Sequence, residues 1–196
     1  MKPLPLNCEA SYRADFLKAD EAQALFEELL SNFDVTNKIV KMADGREHIT
    51  ETGAYMFADA ELTSFEALPE VWGGRSPWPE SLARVRDRIE DELGIHFRVA
   101  RCIYYRDGSE GMGFHRDLPA YGSTSTIASL SLGSEREFAF RSISDPFDSL
   151  TIKLASGSLL FMGEGCQDNY EHSLLYDENC REDRLNLTFR LYGRNV

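Results

Sequence analysis

Cysteine is scarce and scattered in this chain. Cys8, Cys102, Cys166 and Cys180 stand far apart with no C-x-x-C among them, which argues against a zinc ribbon or a disulfide scaffold. Free thiols and a cytoplasmic setting are the expectation. Long apolar runs are missing as well: no stretch approaches the roughly 20 residues that cross a bilayer, so no membrane partner is expected. Residues 1–20 carry charges throughout and lack the apolar middle of a secretory signal. There is no internal repeat and no low-complexity tract. Positive charge is also short, with 21 Lys and Arg against 33 Asp and Glu and a net charge of −12. Indiscriminate binding of polyanions rests on neutralising phosphate, so a chain this acidic should not bind them that way.

What the chain has is enough apolar residue to fold. At 196 residues, 42% of them apolar and 28% charged, it suits one domain with a sizeable core. Arginine is concentrated in residues 75–116, where eight basic residues meet seven acidic ones. Residues 1–74 carry six against fourteen, and residues 117–196 seven against twelve. Those arginines fit either a local basic face or ion pairs with Asp87, Glu90, Asp91 and Glu92 along a solvated helix.

A helix is expected from Asp20, with Asp20 as N-cap, Gln23 completing a capping box, and Leu25, Phe26, Leu29 and Leu30 at helical spacing. A second helix from about Pro79 carries the stripe Leu82, Val85, Ile89 and Leu93 and stops at Gly94. Between them, residues 35–57 read as mixed, with Asp44-Gly45 a turn between short strands, and residues 71–79 as a loop. Beyond Gly94 the pattern becomes β, with strands over 96–105, 125–132, 137–141, 149–154, 158–162 and 184–192 and a turn at Asp107-Gly108. The expected fold is mixed α+β, mainly β: a jelly roll, or double-stranded β-helix, backed by N-terminal helices. One domain over 1–196 is expected, with a helical layer and substrate-side segment in 1–94 and the β core in 95–196. A monomer is expected.

The last strand, Arg184-Leu185-Asn186-Leu187-Thr188-Phe189-Arg190, separates its residues cleanly. Side chains alternate in a strand, so Leu185, Leu187 and Phe189 face a core while Arg184, Asn186, Thr188 and Arg190 share the other face. Its two guanidiniums lie about 20 Å apart at roughly 3.3 Å per residue, and need separate anionic partners. Upstream, His115-Arg116-Asp117 points an imidazole and a carboxylate the same way if extended, and His172 can complete a two-histidine, one-carboxylate set. Such a set leaves coordination positions open, as an oxygen-activating ferrous centre requires, whereas zinc favours a closed tetrahedron. An H-x-D alone occurs readily by chance; its context carries the argument.

That context resembles the AlkB family of iron- and 2-oxoglutarate-dependent dioxygenases. The segments Tyr105-Arg106-Asp107-Gly108, His115-Arg116-Asp117, Ile127-Ala128-Ser129-Leu130-Ser131-Leu132-Gly133, Gly157-Ser158-Leu159-Leu160-Phe161-Met162, His172-Ser173-Leu174 and the final Arg-x-Asn-x-x-x-Arg follow the family's order over about residues 78–192. The resemblance implies Fe(II), 2-oxoglutarate and O2, with His115, Asp117 and His172 as iron ligands. It implies that Arg184 holds one carboxylate of 2-oxoglutarate and that Arg190 lies near Asp117 and the metal-bound carboxylate. Tyr105 would hydrogen-bond the co-substrate, Asn186 support the pocket, and residues 127–132 and 158–162 wall it. The implied reaction is oxidative dealkylation of N-alkylated bases in DNA or RNA.

Two departures bear on the substrate. Ile103 stands where many relatives have Asn. Leu118, Pro119 and Ala120 follow Asp117 where DNA-repairing relatives carry acidic residues. The same oxidative chemistry on a small metabolite, lipid or protein side chain is the rival reading, and a non-catalytic binding β-helix a third. A nucleic-acid substrate must be single-stranded or flipped, and wants an aromatic or imidazole face to stack on. Tyr55, Trp72, Trp78 and Tyr121 are the aromatic candidates beside His115 itself, although core packing also suits them. Residues 45–57 read as a substrate-side hairpin in which Arg46 and His48 could meet phosphates.

Overall fold

The computed structural model describes residues 1–41, 45–64, 73–119, 122–145 and 147–193. Its elements, in chain order, are β1 (Lys2–Pro3), β2 (Ala10–Arg13), α1 (Ala19–Asn32), β3 (Ile39–Lys41), β4 (Glu47–Ile49), β5 (Gly53–Ala58), a 3-10 turn (Ala60–Leu62) and β6 (Gly74–Pro77). There follow α2 (Glu80–Leu93), β7 (Val99–Tyr105), β8 (Met112–His115), β9 (Ile127–Gly133), β10 (Arg136–Ser142), β11 (Ser149–Leu154), β12 (Leu159–Met162), α3 (Cys166–Asn169), β13 (Tyr170–Leu174) and β14 (Arg184–Arg190).

Two sheets make the jelly roll. The larger runs β1-β2-β12-β9-β14-β7-β5-β6 and the smaller β11-β10-β13-β8, with β3-β4 a separate hairpin. The pairings are antiparallel apart from β5 with β6. Alternation along β14 divides the molecule into layers. Leu185, Leu187 and Phe189 join Phe57, Ala100 and Leu130 against the buried stripes of α1 (Leu25, Phe26, Leu29) and α2 (Leu82, Val85, Ile89). On the opposite face Ile103, Tyr105, Ile127 and Leu160 meet Phe138, Phe140, Leu154 and Leu174 of the smaller sheet. A sheet buried on both faces can hold polar side chains only where a site or a partner satisfies them. β14 carries four such positions.

Several expectations change. α1 begins at Ala19 with Lys18 as its N-cap and no side-chain cap bond; Gln23 turns along the helix and donates to Glu27 Oε1 at 2.8 Å, so the capping box does not form. The segment read as a loop before α2 contains β6, which lies parallel to β5 at the edge of the sheet, where proline removes no needed ladder bond. The hairpin read over 45–57 does not form within that segment: Glu47–Ile49 pairs instead with Ile39–Lys41, and Gly53–Ala58 is a buried strand of the large sheet. The turn residue Asp44 lies outside the described residues. α2 ends as read, at Gly94 in a left-handed conformation with φ 69°. Its arginines pair largely as a solvated helix would, Arg84 with Glu80, Arg86 with Asp87 and Arg88 with Glu21. Among the described residues no helix is long and apolar enough to cross a membrane.

Candidate iron and co-substrate site

β8 and β13 are adjacent strands of the smaller sheet, and their register places His115 directly across from His172. The two imidazole centroids are 4.4 Å apart. Asp117 follows β8 by two residues and swings its carboxylate towards the same point, with Oδ2 3.6 Å from His172 Nε2. One ligand atom from each of the three lies within 4.8 Å of the others. Two nitrogens and one carboxylate oxygen suit a facial ferrous centre, so the donor set fits the metal that the sequence implies.

Supporting contacts aim these ligands. His115 Nδ1 is 2.7 Å from the carbonyl of Gly113; a carbonyl only accepts, so Nδ1 carries the proton and Nε2 presents its lone pair. The His172 ring stacks on Phe138 at 5.4 Å with an interplanar angle of 23° and meets Phe140 edge-on at 6.5 Å. Burial depresses the His172 pKa to about 4, opposed by the Asp117 carboxylate, so the ring is neutral at pH 7. Asp117 is gripped twice: its backbone N–H donates to Gln167 Oε1 at 2.8 Å, and Arg190 Nη2 donates to Oδ1 at 2.5 Å. Burial would raise the Asp117 carboxyl, but the Arg190 charge and the two histidines hold it below the usual range.

Beside the triad opens a cavity of about 300 Å³, at the lower end for small-molecule sites. Ile103, Leu154, Met162 and Leu174 give it apolar walls, and Arg101, Arg184 and Arg190 supply positive charge. Arg184 is 1% exposed. Its Nη2 donates to Ser131 Oγ at 2.8 Å, its Nε has no partner, and its guanidinium lies 5.6 Å over the Tyr105 ring. Among the described residues no carboxylate pairs with it. Burial lowers its pKa to about 10 and pushes the Tyr105 phenol up. A buried cation left with one hydroxyl is costly unless an anion completes it. The cavity therefore fits a carboxylate-bearing co-substrate.

A sequence profile of the 2OG-Fe(II) oxygenase superfamily matches residues 9–190. The chain belongs to this superfamily. It is thus an Fe(II)- and 2-oxoglutarate-dependent dioxygenase, and its relatives are AlkB-like. DNA oxidative demethylase ALKBH2 of Mus musculus is 33% identical over 94% of this chain and 80% of its own length. Alpha-ketoglutarate-dependent dioxygenase alkB homolog 3 of Rattus norvegicus is 34% identical over 58% of this chain and 41% of its own. The structure of OsALKBH1 superposes with a TM-score of 0.68 at 16% identity, covering 96% of this chain and all of that one; at that identity the likeness concerns the fold.

In this oxygenase the residues read as metal ligands converge, and Tyr105, Arg184, Asn186 and Arg190 all line the cavity. Asn186 donates from Nδ2 to Ser129 Oγ at 2.8 Å and to the Leu130 carbonyl at 3.1 Å, bracing the neighbouring strand. The substrate candidates fare differently. Tyr55 is core: it is 9% exposed, with its ring against Phe33 and Phe57 on the helical side of the sheet. Trp78 is on that side too, stacked on Phe189 at 5.9 Å, donating from Nε1 to Asp59 and covered by the Arg86 guanidinium. For Tyr55 this follows from alternation along β5, since the cavity takes the opposite face of the large sheet. Arg46 is exposed ahead of β4 and is not part of the cavity lining. Trp72, Ala120 and Tyr121 lie outside the described residues.

Gln167, Phe138 and Arg101 complete the site without having been singled out in sequence, whereas Ser131 belongs to the wall read over 127–132. Ser129 and Ser131 carried a signal, as polar residues at alternate positions of an otherwise apolar strand.

Proposed function

We propose that this dioxygenase removes alkyl groups oxidatively from N-alkylated bases of nucleic acid. The reading is carried by the His115, Asp117 and His172 triad opening onto a cavity in which buried Arg184 pairs with no carboxylate among the described residues. It is supported by 33% identity along most of its length to a protein named as a DNA oxidative demethylase. His115, Asp117 and His172 would hold Fe(II), which with 2-oxoglutarate and O2 supplies the oxidation of a substrate C–H bond. Arg184 would bind a carboxylate of 2-oxoglutarate, with Tyr105 beside it. Arg190 fixes Asp117 and neutralises charge at the metal end, and the walls formed by Ile103, Leu154 and Met162 keep water away. Hydroxylation at the carbon attached to nitrogen gives a hemiaminal that releases an aldehyde, which for a methyl group is formaldehyde. A base reaches this cavity from a single strand or after flipping.

The net charge of −12 and the 71% exposed Leu118 beside the metal ligands favour a second reading, an apolar small molecule, lipid or protein side chain. One experiment separates the two. The full chain is incubated with Fe(II), 2-oxoglutarate and ascorbate over single-stranded DNA and RNA oligonucleotides carrying N-methylated bases, and succinate and formaldehyde are quantified. Equal amounts of both, with mass loss from the oligonucleotide, are expected, and His115→Ala, Asp117→Ala or His172→Ala should each lower them at least about 100-fold. Succinate without formaldehyde across the whole panel would transfer the assignment to the second reading.

A further inference from the structure

A second chemistry-bearing cluster lies outside the cavity. Cys8, ahead of β2, and Cys166, the first residue of α3, bring their sulfurs to 2.7 Å, well inside ordinary non-bonded contact. The backbone around them is held on both sides. Glu9 N–H donates to the Glu164 carbonyl at 2.9 Å, and Gly163 N–H to the Glu9 carbonyl at 2.6 Å. Asn169 Nδ2 donates to the Asn7 carbonyl at 2.8 Å, and Asn7 N–H to Tyr170 Oη at 2.9 Å. Gly165, at φ 79°, makes the left-handed turn that presents Cys166, and a Cβ placed on it would lie only 3.5 Å from Cys8 Cβ. Sulfurs this close need approach by only about 0.7 Å to reach disulfide bonding distance.

The partners are unequal. Cys166 is 2% exposed, whereas Cys8 is half-buried and reachable. The hydrogen bond between them lowers the Cys8 pKa against the effect of burial and, with burial, raises that of Cys166. Cys8, the more accessible sulfur and the one whose pKa is lowered, is the better placed to attack an oxidant. Cys102 is fully buried, and burial pushes its thiol up; Cys180 donates to the Glu182 carbonyl.

We propose that Cys8 and Cys166 form a peroxide-responsive disulfide that clamps the N-terminal segment onto the α3 turn. Cys8 gives up its proton and its sulfur attacks hydrogen peroxide; an S–O bond forms, the O–O bond breaks, and the departing hydroxide takes up that proton and leaves as water. The Cys166 sulfur then attacks the Cys8 sulfenic acid; the S–S bond forms, the S–O bond breaks, and the hydroxide leaves as water with the Cys166 proton. Two thiols lose two electrons, and one peroxide becomes two waters. The turn so clamped carries Gln167, which holds the Asp117 backbone.

The test uses the full chain, reduced, freed of iron with a chelator and treated with one equivalent of hydrogen peroxide. It is then alkylated and digested after glutamate, which separates Cys166 from Cys180 at Glu171 and Glu178. The expected product is a peptide pair joined through Cys8 and Cys166, lighter by two hydrogens than its thiol parts, with Cys102 and Cys180 unpaired. Thermal melting should rise by about 5 °C or more on oxidation, because the bond closes a very long loop, and should not change in Cys8→Ser. Cys8 over-oxidised beside an intact Cys166 thiol, or joined to Cys180 or to a second chain, would overturn the proposal.

Discussion

Arg184 carries its charge at 1% exposure with a single hydroxyl as partner, so its role in binding 2-oxoglutarate can be measured apart from the fold. Arg184→Met removes the cation and keeps an apolar chain of similar length. The half-saturating 2-oxoglutarate concentration should rise roughly 10- to 100-fold, as expected for losing a charged hydrogen-bonded contact, while the far-UV spectrum stays unchanged. An unaltered half-saturation point would remove Arg184 from the co-substrate site. His172 gives a pH prediction. Its pKa falls from 6.5 to about 4 on folding, mainly through burial, so between those values the unfolded chain binds a proton that the folded chain does not. The stability tied to a neutral His172 is complete above pH 6.5 and is lost as pH falls towards 4, by on the order of 3 kcal/mol in all. Urea unfolding of the metal-free protein at pH 7.5 and pH 5 should show the lower value at pH 5. Residues that bear metal-site chemistry were legible because few side chains can do that work. Gln167 and Phe138 were not, since an amide that props a backbone and a ring that wedges an imidazole resemble any glutamine and phenylalanine until the strands are paired.

Two glycines distinguish turn geometry from close packing within the elements. Gly94 closes α2 at φ 69° with open space around its Cα, so Gly94→Ala should cost about 1 kcal/mol, a melting shift of roughly 2–4 °C. Gly108 sits where a Cβ would come within 1.7 Å of the Asp177 carbonyl. Its loop is fastened by Arg136, which is 2% exposed and donates to the carbonyls of Asp107, Gly108, Glu110 and Leu175. Gly108→Ala should therefore destabilise by more than Gly94→Ala, and denaturant unfolding of both variants checks the order. The strands from β7 onwards were largely readable because each alternates polar and apolar residues or forms a short apolar run between turns. β8 and β13 escaped because function fills them: Met112-Gly113-Phe114-His115 and Tyr170-Glu171-His172 show no clean period. β1 and β6 are short edge pieces in which proline or glycine speaks for a loop, and β2 is a four-residue strand whose pairing with β1 and β12 is tertiary.

At the scale of the molecule, the triad lies between sheets that already have cores of their own, one beneath the helices and one between the sheets. Metal should thus tune stability rather than create it. Removing iron with a chelator should abolish succinate formation and lower the melting temperature by only a few degrees, the linkage expected of a ligand bound to a preformed site. Unfolding on chelation would contradict that picture. The order of the large sheet has a temporal consequence. Ala10–Arg13 hydrogen-bonds to Leu159–Met162, so a polypeptide leaving the ribosome exposes one half of this ladder through most of its synthesis. That early strand must wait, solvated and unmatched, for a distant partner, and a barrier from loop-closure entropy then governs how quickly the enzyme matures.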